Sequence, residues 1–187
     1  PGAFNDEVAD LAMGYVLALA RNILQTHINV AKGNWTQVTG KTLRGKTLGL
    51  VGFGGIGRAV AVRAGAFGMK VVFFDPFLKD TSTTSELEKS IQVNLEELLV
   101  SSDYVVLACP STDRTRGMIN KDSLKKMKSS AALVNVARGD LVVEDHLVSS
   151  LFDEQISGAA LDVYEKEPLA QDSPLRSLAN VILGAHN

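Results

Sequence analysis

The 187-residue sequence predicts an α/β fold: a doubly wound parallel sheet with helices on both faces, preceded by a long N-terminal helix. Three observations carry this. Short, largely apolar runs, such as Tyr104–Cys109 and Ala131–Val136, alternate with segments of helical period. Continuous apolar runs are what a parallel sheet covered on both faces requires, because each strand buries both its sides. A glycine-rich turn, Gly52–Gly57, joins the first such run to the helix behind it. Strands and helices alternating this way connect as right-handed βαβ units.

The chain in order supports the pattern. Asn5 to about Lys32 reads as one long helix, with Asn5 as cap and Asp6 and Glu7 suited to its positive end. Val8, Leu11, Ala12, Tyr15, Leu19, Asn22 and Ile23 trace its apolar face, widened by Val16, Leu17 and Ala20. That is more apolar surface than one neighbour usually covers, so the segment reads as a packing or dimer helix. His27 on it is a surface or core histidine. Gly33–Trp35 ends the helix, and Gln37–Gly45 is a polar connector. Thr47–Val51 is the first strand. Ile56, Val60, Val62, Ala64 and Phe67 supply the apolar positions of the next helix, which Gly68 stops. Lys70–Asp75 is the second strand, Thr81–Ser90 a polar exposed segment, and Ile91–Val93 a short strand. Asn94 and Glu97 form a capping-box pair opening a helix through Val100. Tyr104–Cys109 is the fourth strand, and Asn120 caps a helix to about Lys128. Ala131–Val136 is the fifth strand, followed by a helix from about Glu144 to Phe152. Gly158–Val163 and Val181–Leu183 are the last strands.

Composition narrows the function. The chain is 45% hydrophobic and 21% charged, ordinary for a globular protein, with a formal net charge of −2 and no long basic run, so nucleic acid is not an expected partner. Leu11–Ala20, its longest apolar stretch, is too short to span a bilayer, and no basic-then-apolar leader is present. The single cysteine cannot form an internal disulfide, which is compatible with the cytoplasm. Pro1 is not an initiator methionine, which suggests a processed chain or an excised piece.

Gly52, Gly54 and Gly57 fit G-x-G-x-x-G. The first permits the tight turn, the second lets backbone approach a pyrophosphate, and the third lets helix and strand pack closely. The helix end then offers unpaired N–H groups and partial positive charge to an anion. Asp75 lies 18 residues after Gly57, near the spacing of about 20 for an acid on the adenosine ribose hydroxyls. A carboxylate there repels a 2′-phosphate, so NAD is favoured over NADP; Lys79 is the nearby cation that could soften this. The competing reading is that Asp75 merely starts a turn with Pro76. The arrangement is a Rossmann-type dinucleotide site.

Ligands of such sheets sit beyond the carboxyl ends of the strands. There the sequence places Cys109 and Pro110, Arg138, Asp162, Glu165, Glu167 and His186. A histidine titrating near neutrality, a carboxylate to orient it and an arginine to hold a carboxylate or carbonyl suit hydride transfer to a 2-oxo acid. Each has a plainer reading: a turn arginine, a solvated acidic turn, a histidine near a terminus. Cys109 reads as a small buried residue and not a nucleophile. No cluster has metal-ligand spacing.

Together these segments resemble the D-isomer-specific 2-hydroxyacid dehydrogenase family over nearly the whole chain. Val51–Arg58 is similar to its cofactor loop. Cys109–Pro110 with Thr115–Asn120 is similar to the segment after its fourth strand. Asn135–Asp140 resembles its arginine motif, Gly158–Pro168 its glutamate motif and Asn180–His186 its histidine motif. The resemblance implies catalytic roles for Arg138, Glu167 and His186, choosing Glu167 over Glu165 because the family's glutamate precedes the proline. It implies that Asp162 meets the nicotinamide carboxamide and that Gly55 and Ile56 offer backbone to the pyrophosphate. Cys109, Pro110, Thr115, Val136 and Ala137 would complete the NAD contacts. The substrate would be a small 2-hydroxy or 2-oxo acid and the assembly a homodimer through the cofactor domain. Three departures stand out. Gly55 replaces a common arginine or histidine. Gly-Ala-His-Asn at 184–187 replaces Thr-Pro-His, a variant nearer some phosphoglycerate dehydrogenase relatives. The family's second domain is missing, so residues 1–187 read as the dinucleotide-binding domain alone, 1–40 being a crossing helix and connector. The alternatives are an NAD(H)-sensing corepressor-like protein of the same fold and a methyltransferase using the glycine loop.

Overall fold

The computed structural model describes residues 4–78 and 90–187. Lys79, Pro1 and most of the Thr81–Ser90 segment lie outside the described residues. Seven parallel strands form one sheet: β1 Thr47–Val51, β2 Lys70–Phe74, β3 Ser90–Gln92, β4 Tyr104–Leu107, β5 Ala132–Asn135, β6 Gly158–Leu161 and β7 Val181–Leu183. Their order is β3-β2-β1-β4-β5-β6-β7, all neighbours parallel. The order reverses between β1 and β4, and that switch point opens the crevice in which ligands of this architecture bind.

Strand residues alternate between two cores. On one face Leu48, Leu50, Phe73, Val106 and Val134 meet α1 (Asn5–Arg21) and α3 (Gly55–Ala66). On the other, Val51, Val105, Leu107, Leu133 and Leu161 meet α4 (Leu95–Ser101), α5 (Lys121–Lys126) and α6 (Glu144–Phe152). The expected two-sided burial is therefore present. Strands β4, β5 and β6 end one or two residues earlier than their apolar runs, which frees Cys109, Val136 and Asp162 to turn onto the rim.

Several expectations need correcting. The first helix is not continuous to Lys32: Asn22 adopts a left-handed conformation (φ 53°), separating α1 from α2 (Ile23–Ala31). Asparagine tolerates this backbone, and its side chain donates to the Thr39 carbonyl at 3.2 Å, pinning the connector. Asn5 does not cap α1; it is the first helical residue, after Phe4. The buried stripe is Ala9, Ala12, Met13, Val16 and Ala20, with Tyr15 beside it. These mostly small residues let α1 lie against α3, β5 and β6, and Arg63 of α3 clamps the pair through Asp6 and Asp10. No residue of α2 is buried, and His27 is exposed. On α3 the inward positions are Gly57, Val60, Ala61 and Ala64, whereas Val62 and Phe67 face out, as the 3.6-residue period dictates. The Asn94 side chain accepts from the Glu97 N–H, but the reciprocal box forms instead at Asn120 with Ser123.

Candidate cofactor and active site

The glycine turn follows β1 at the switch point. Gly52 has φ 97°, and a Cβ there would lie 2.8 Å from Ala108 O and Cys109 N, so a side chain is excluded by both conformation and contact with the β4 end. A Cβ on Gly57 would collide with the Gly52 carbonyl oxygen, while Gly54 faces open space. Gly54 and Gly55 are exposed. Among the described residues the N–H groups of Gly55 and Ile56 have no acceptor, which leaves donors aimed outward at the positive end of α3. The space a side chain at Gly55 would need is taken by Asn5, whose Cγ would sit 2.8 Å from the added Cβ.

Asp75 reaches the same turn: Oδ2 accepts the Phe53 N–H at 2.9 Å and Oδ1 the Phe77 N–H at 3.0 Å. Asp75 thus forms a turn with the residues after it and stands beside the glycine loop. Cys109 is half-buried rather than fully buried, and burial pushes its thiol up to about 11. The Thr115 hydroxyl is used inside its own loop, donating to Pro110 O and accepting the Thr112 N–H, each at 2.8 Å. The Val136 side chain belongs to the core and Ala137 is partly exposed.

A second cluster lies at the ends of β5, β6 and β7. His186 Nδ1 is 2.6 Å from Glu167 Oε2, and Glu167 Oε1 accepts the Tyr164 N–H at 3.0 Å. The His186 contact, then that N–H and the nearby Arg138 charge, hold the Glu167 carboxyl below the usual glutamate value. Arg138 is exposed, its guanidinium donating to Ala137 O at 2.6 Å. Its loop is braced by buried Asn135, which donates to Arg138 O at 2.9 Å and accepts the Ala137 N–H at 3.1 Å. Glu165 turns away and accepts the Glu144 N–H at 2.9 Å at the start of α6. Asp162 is 3% exposed, bound by the Tyr15 hydroxyl at 3.0 Å and the Asn187 N–H at 2.9 Å, with a second lone pair left on each oxygen.

The rim therefore carries Gly52–Gly57, Asp75 and Cys109 in one group and Arg138, Glu167, Asp162 and His186 in the other. Sequence reasoning missed Tyr15, Tyr164 and Gly139. Tyr164 donates to Gly184 O at 2.7 Å, and a Cβ on Gly139 would collide with the Tyr164 carbonyl. Only the Arg-Gly pairing hinted at Gly139. Concavities of about 600 and 680 Å³, both lined by Lys41, Ser157 and Asn180, lie at the opposite, amino-terminal end of the strands.

Comparison with known proteins finds relatives over the whole chain. The model of the D-isomer specific 2-hydroxyacid dehydrogenase NAD-binding domain matches residues 13–187. The hydroxypyruvate reductase of Thermotoga maritima is 42% identical over all of this chain and 60% of its own length. The D-3-phosphoglycerate dehydrogenase of Methanocaldococcus jannaschii is 41% identical over all of this chain and 36% of its own. A crystal structure of a glyoxylate reductase from Paecilomyes thermophila superposes with a TM-score of 0.90 at 34% identity, over all of this chain and 56% of that one. The chain thus spans less than two thirds of the proteins it matches.

Proposed function

The chain belongs to the D-isomer specific 2-hydroxyacid dehydrogenase family, and from that premise we propose that it is the NAD-binding half of an enzyme that interconverts a D-2-hydroxy acid and its 2-oxo acid. Residues 1–187 form the dinucleotide-binding domain, with 1–40 as crossing helix and connector, and the substrate domain comes from chain beyond these residues. Glyoxylate, hydroxypyruvate and 3-phosphoglycerate are the substrates to test, because relatives carry those names. The protein works in the cytoplasm as a homodimer, with the exposed apolar Ile23, Leu24 and Val30 of α2 and the 93% exposed Trp35 as the surface for the second copy. Nucleic acid and membrane are not partners; among the described residues no helix is long and apolar enough to cross a membrane.

The residues at the switch point fit NAD: free N–H groups at the start of α3, no side chain at Gly54, and Asp75 beside the turn. NAD, when bound, accepts or supplies the hydride. Gly55 and Ile56 hold the pyrophosphate through backbone N–H groups, and Asp75 holds the adenosine ribose. Cys109, Pro110, Thr115, Val136, Ala137 and Asp162 line the remaining path. Arg138 orients the substrate carboxylate or carbonyl and stabilises developing charge on its oxygen. His186 gives a proton to that oxygen in reduction and takes it in oxidation through Nε2, since Nδ1 is committed to Glu167. The observation that carries this reading is the Glu167–His186 contact beside Arg138 on the same rim as the glycine turn.

The test is NADH titration of this chain beside turnover by the full-length protein. The chain should bind NADH with negligible turnover, and the full-length protein should reduce one of the three acids. Absence of NADH affinity at millimolar concentration would refute the cofactor assignment. Efficient hydroxy-acid oxidation by residues 1–187 alone would refute the divided cleft.

A further inference from the structure

We propose that Tyr15, on the first helix, is a positioning residue for His186 that acts through Asp162, and that residue 184 is glycine to leave room for it. The proposal rests on the acid/base role given to His186 above. Its starting point is a buried hydroxyl with one use: Tyr15 donates to Asp162 Oδ1 at 3.0 Å, across 147 positions of sequence. Asp162 is itself almost fully buried, and a carboxylate in that setting is tolerated only when donors satisfy it. Its other oxygen takes the Asn187 N–H at 2.9 Å, and its carbonyl takes the His186 N–H at 2.8 Å. Asp162 therefore grips the backbone on both sides of the His186 ring.

That grip has something to hold. His186 has φ 59°, a left-handed conformation uncommon for a non-glycine residue, which the contacts around it help to hold. By fixing Oδ1, the Tyr15 hydroxyl fixes the plane of the carboxylate and so the aim of Oδ2 at Asn187. Burial, with the Asp162 bond second, pushes the Tyr15 hydroxyl far above its ordinary value, so it stays a donor at neutral pH. Gly184 supplies independent support. It has no positive φ to explain it, yet a Cβ there would collide with both Asp162 Oδ1 and the Tyr15 hydroxyl and lie 3.1 Å from Asp162 Cα. The contact and not the turn accounts for the glycine.

The test compares wild type, Tyr15→Phe, Gly184→Ala and the double variant in the full-length protein. Amide hydrogen exchange at His186 and Asn187 reads the grip without any substrate; Tyr15→Phe should speed both by about tenfold, the effect of losing a hydrogen bond to a charged group, while core amides of β4 and β5 keep their rates. Turnover per NADH-binding site should fall about tenfold with NADH affinity within about threefold. Gly184→Ala should act in the same direction, and the double variant should be no worse than the poorer single, because both break one contact. Unchanged exchange at His186 and Asn187 in Tyr15→Phe would overturn the proposal. So would loss of turnover that tracks a loss of NADH-binding sites. If exchange responds as expected but the wild type reduces no 2-oxo acid, the positioning stands and the enzymatic reading above falls.

Discussion

Replacing Glu167 with glutamine keeps its shape and changes which nitrogen of His186 carries the proton. Glu167 Oε1 accepts the Tyr164 N–H and Oε2 faces Nδ1 at 2.6 Å. An ionised carboxylate only accepts, so Nδ1 bears the hydrogen and Nε2 is left to exchange a proton with substrate. Glutamine has one acceptor oxygen. With that oxygen on the Tyr164 N–H, its amide donates to Nδ1 and the hydrogen moves to Nε2, which can no longer act as base. The wrong tautomer costs about 10⁴-fold in the buried serine-protease triad. Here the side chains are 51% and 35% exposed, so water competes, and a loss of about 10² to 10³ in kcat for hydroxy-acid oxidation is expected. Affinity for NADH, followed by fluorescence, should stay within about twofold, since Glu167 lies away from the glycine turn. The pH dependence follows from the lowered Glu167 value. A depressed carboxyl contributes stability above its ordinary value of 4.5 and loses it as pH falls through the lower folded value. Wild type should therefore melt above Glu167→Gln at neutral pH and converge with it on the acid side. Oxidation by Glu167→Gln at the wild-type rate would refute the tautomer argument.

Other perturbations test other parts of the rim. Gly57→Ala drives a Cβ into the Gly52 carbonyl and should cost about 1–3 kcal/mol in denaturant unfolding along with NADH affinity; an unchanged midpoint contradicts the packing. Asp75→Ala removes the charge proposed to face a 2′-phosphate and should reduce the NADH-over-NADPH preference at least about tenfold, roughly 1.4 kcal/mol; an unaltered ratio of the two affinities contradicts that role. Cys109, with its thiol pushed up to about 11, should react with iodoacetamide at pH 8 about two hundred times more slowly than a free cysteine. Alkylation at the free rate, measured by mass spectrometry, would contradict its burial.

The alternation of strands and helices was legible because strands such as Tyr104–Leu107 are buried on both faces and announce themselves as apolar runs. The glycine turn was legible because Gly52 and Gly57 are excluded from bearing side chains by backbone on either side. Choosing Glu167 over Glu165 needed the family pattern; in the fold the two carboxylates part, Glu167 meeting His186 and Glu165 accepting the Glu144 N–H at the start of α6. What the sequence could not disclose were contacts closed by tertiary structure. Tyr15 reads as one more apolar helix position until its hydroxyl meets Asp162, and Asn22 as a helix residue until its side chain finds Thr39. The face of α1 was misjudged for a similar reason: a run apolar on most sides leaves the choice of buried stripe to its neighbours, and α3 selected the small residues.

The most direct measurement is the crystal structure of this chain grown with NADH. The account predicts density for the pyrophosphate against the Gly55 and Ile56 N–H groups, the adenosine ribose at Asp75, and the nicotinamide turned toward Arg138 and His186. A dinucleotide bound at the amino-terminal end of the strands, or a nicotinamide turned away from the Glu167–His186 pair, would contradict it.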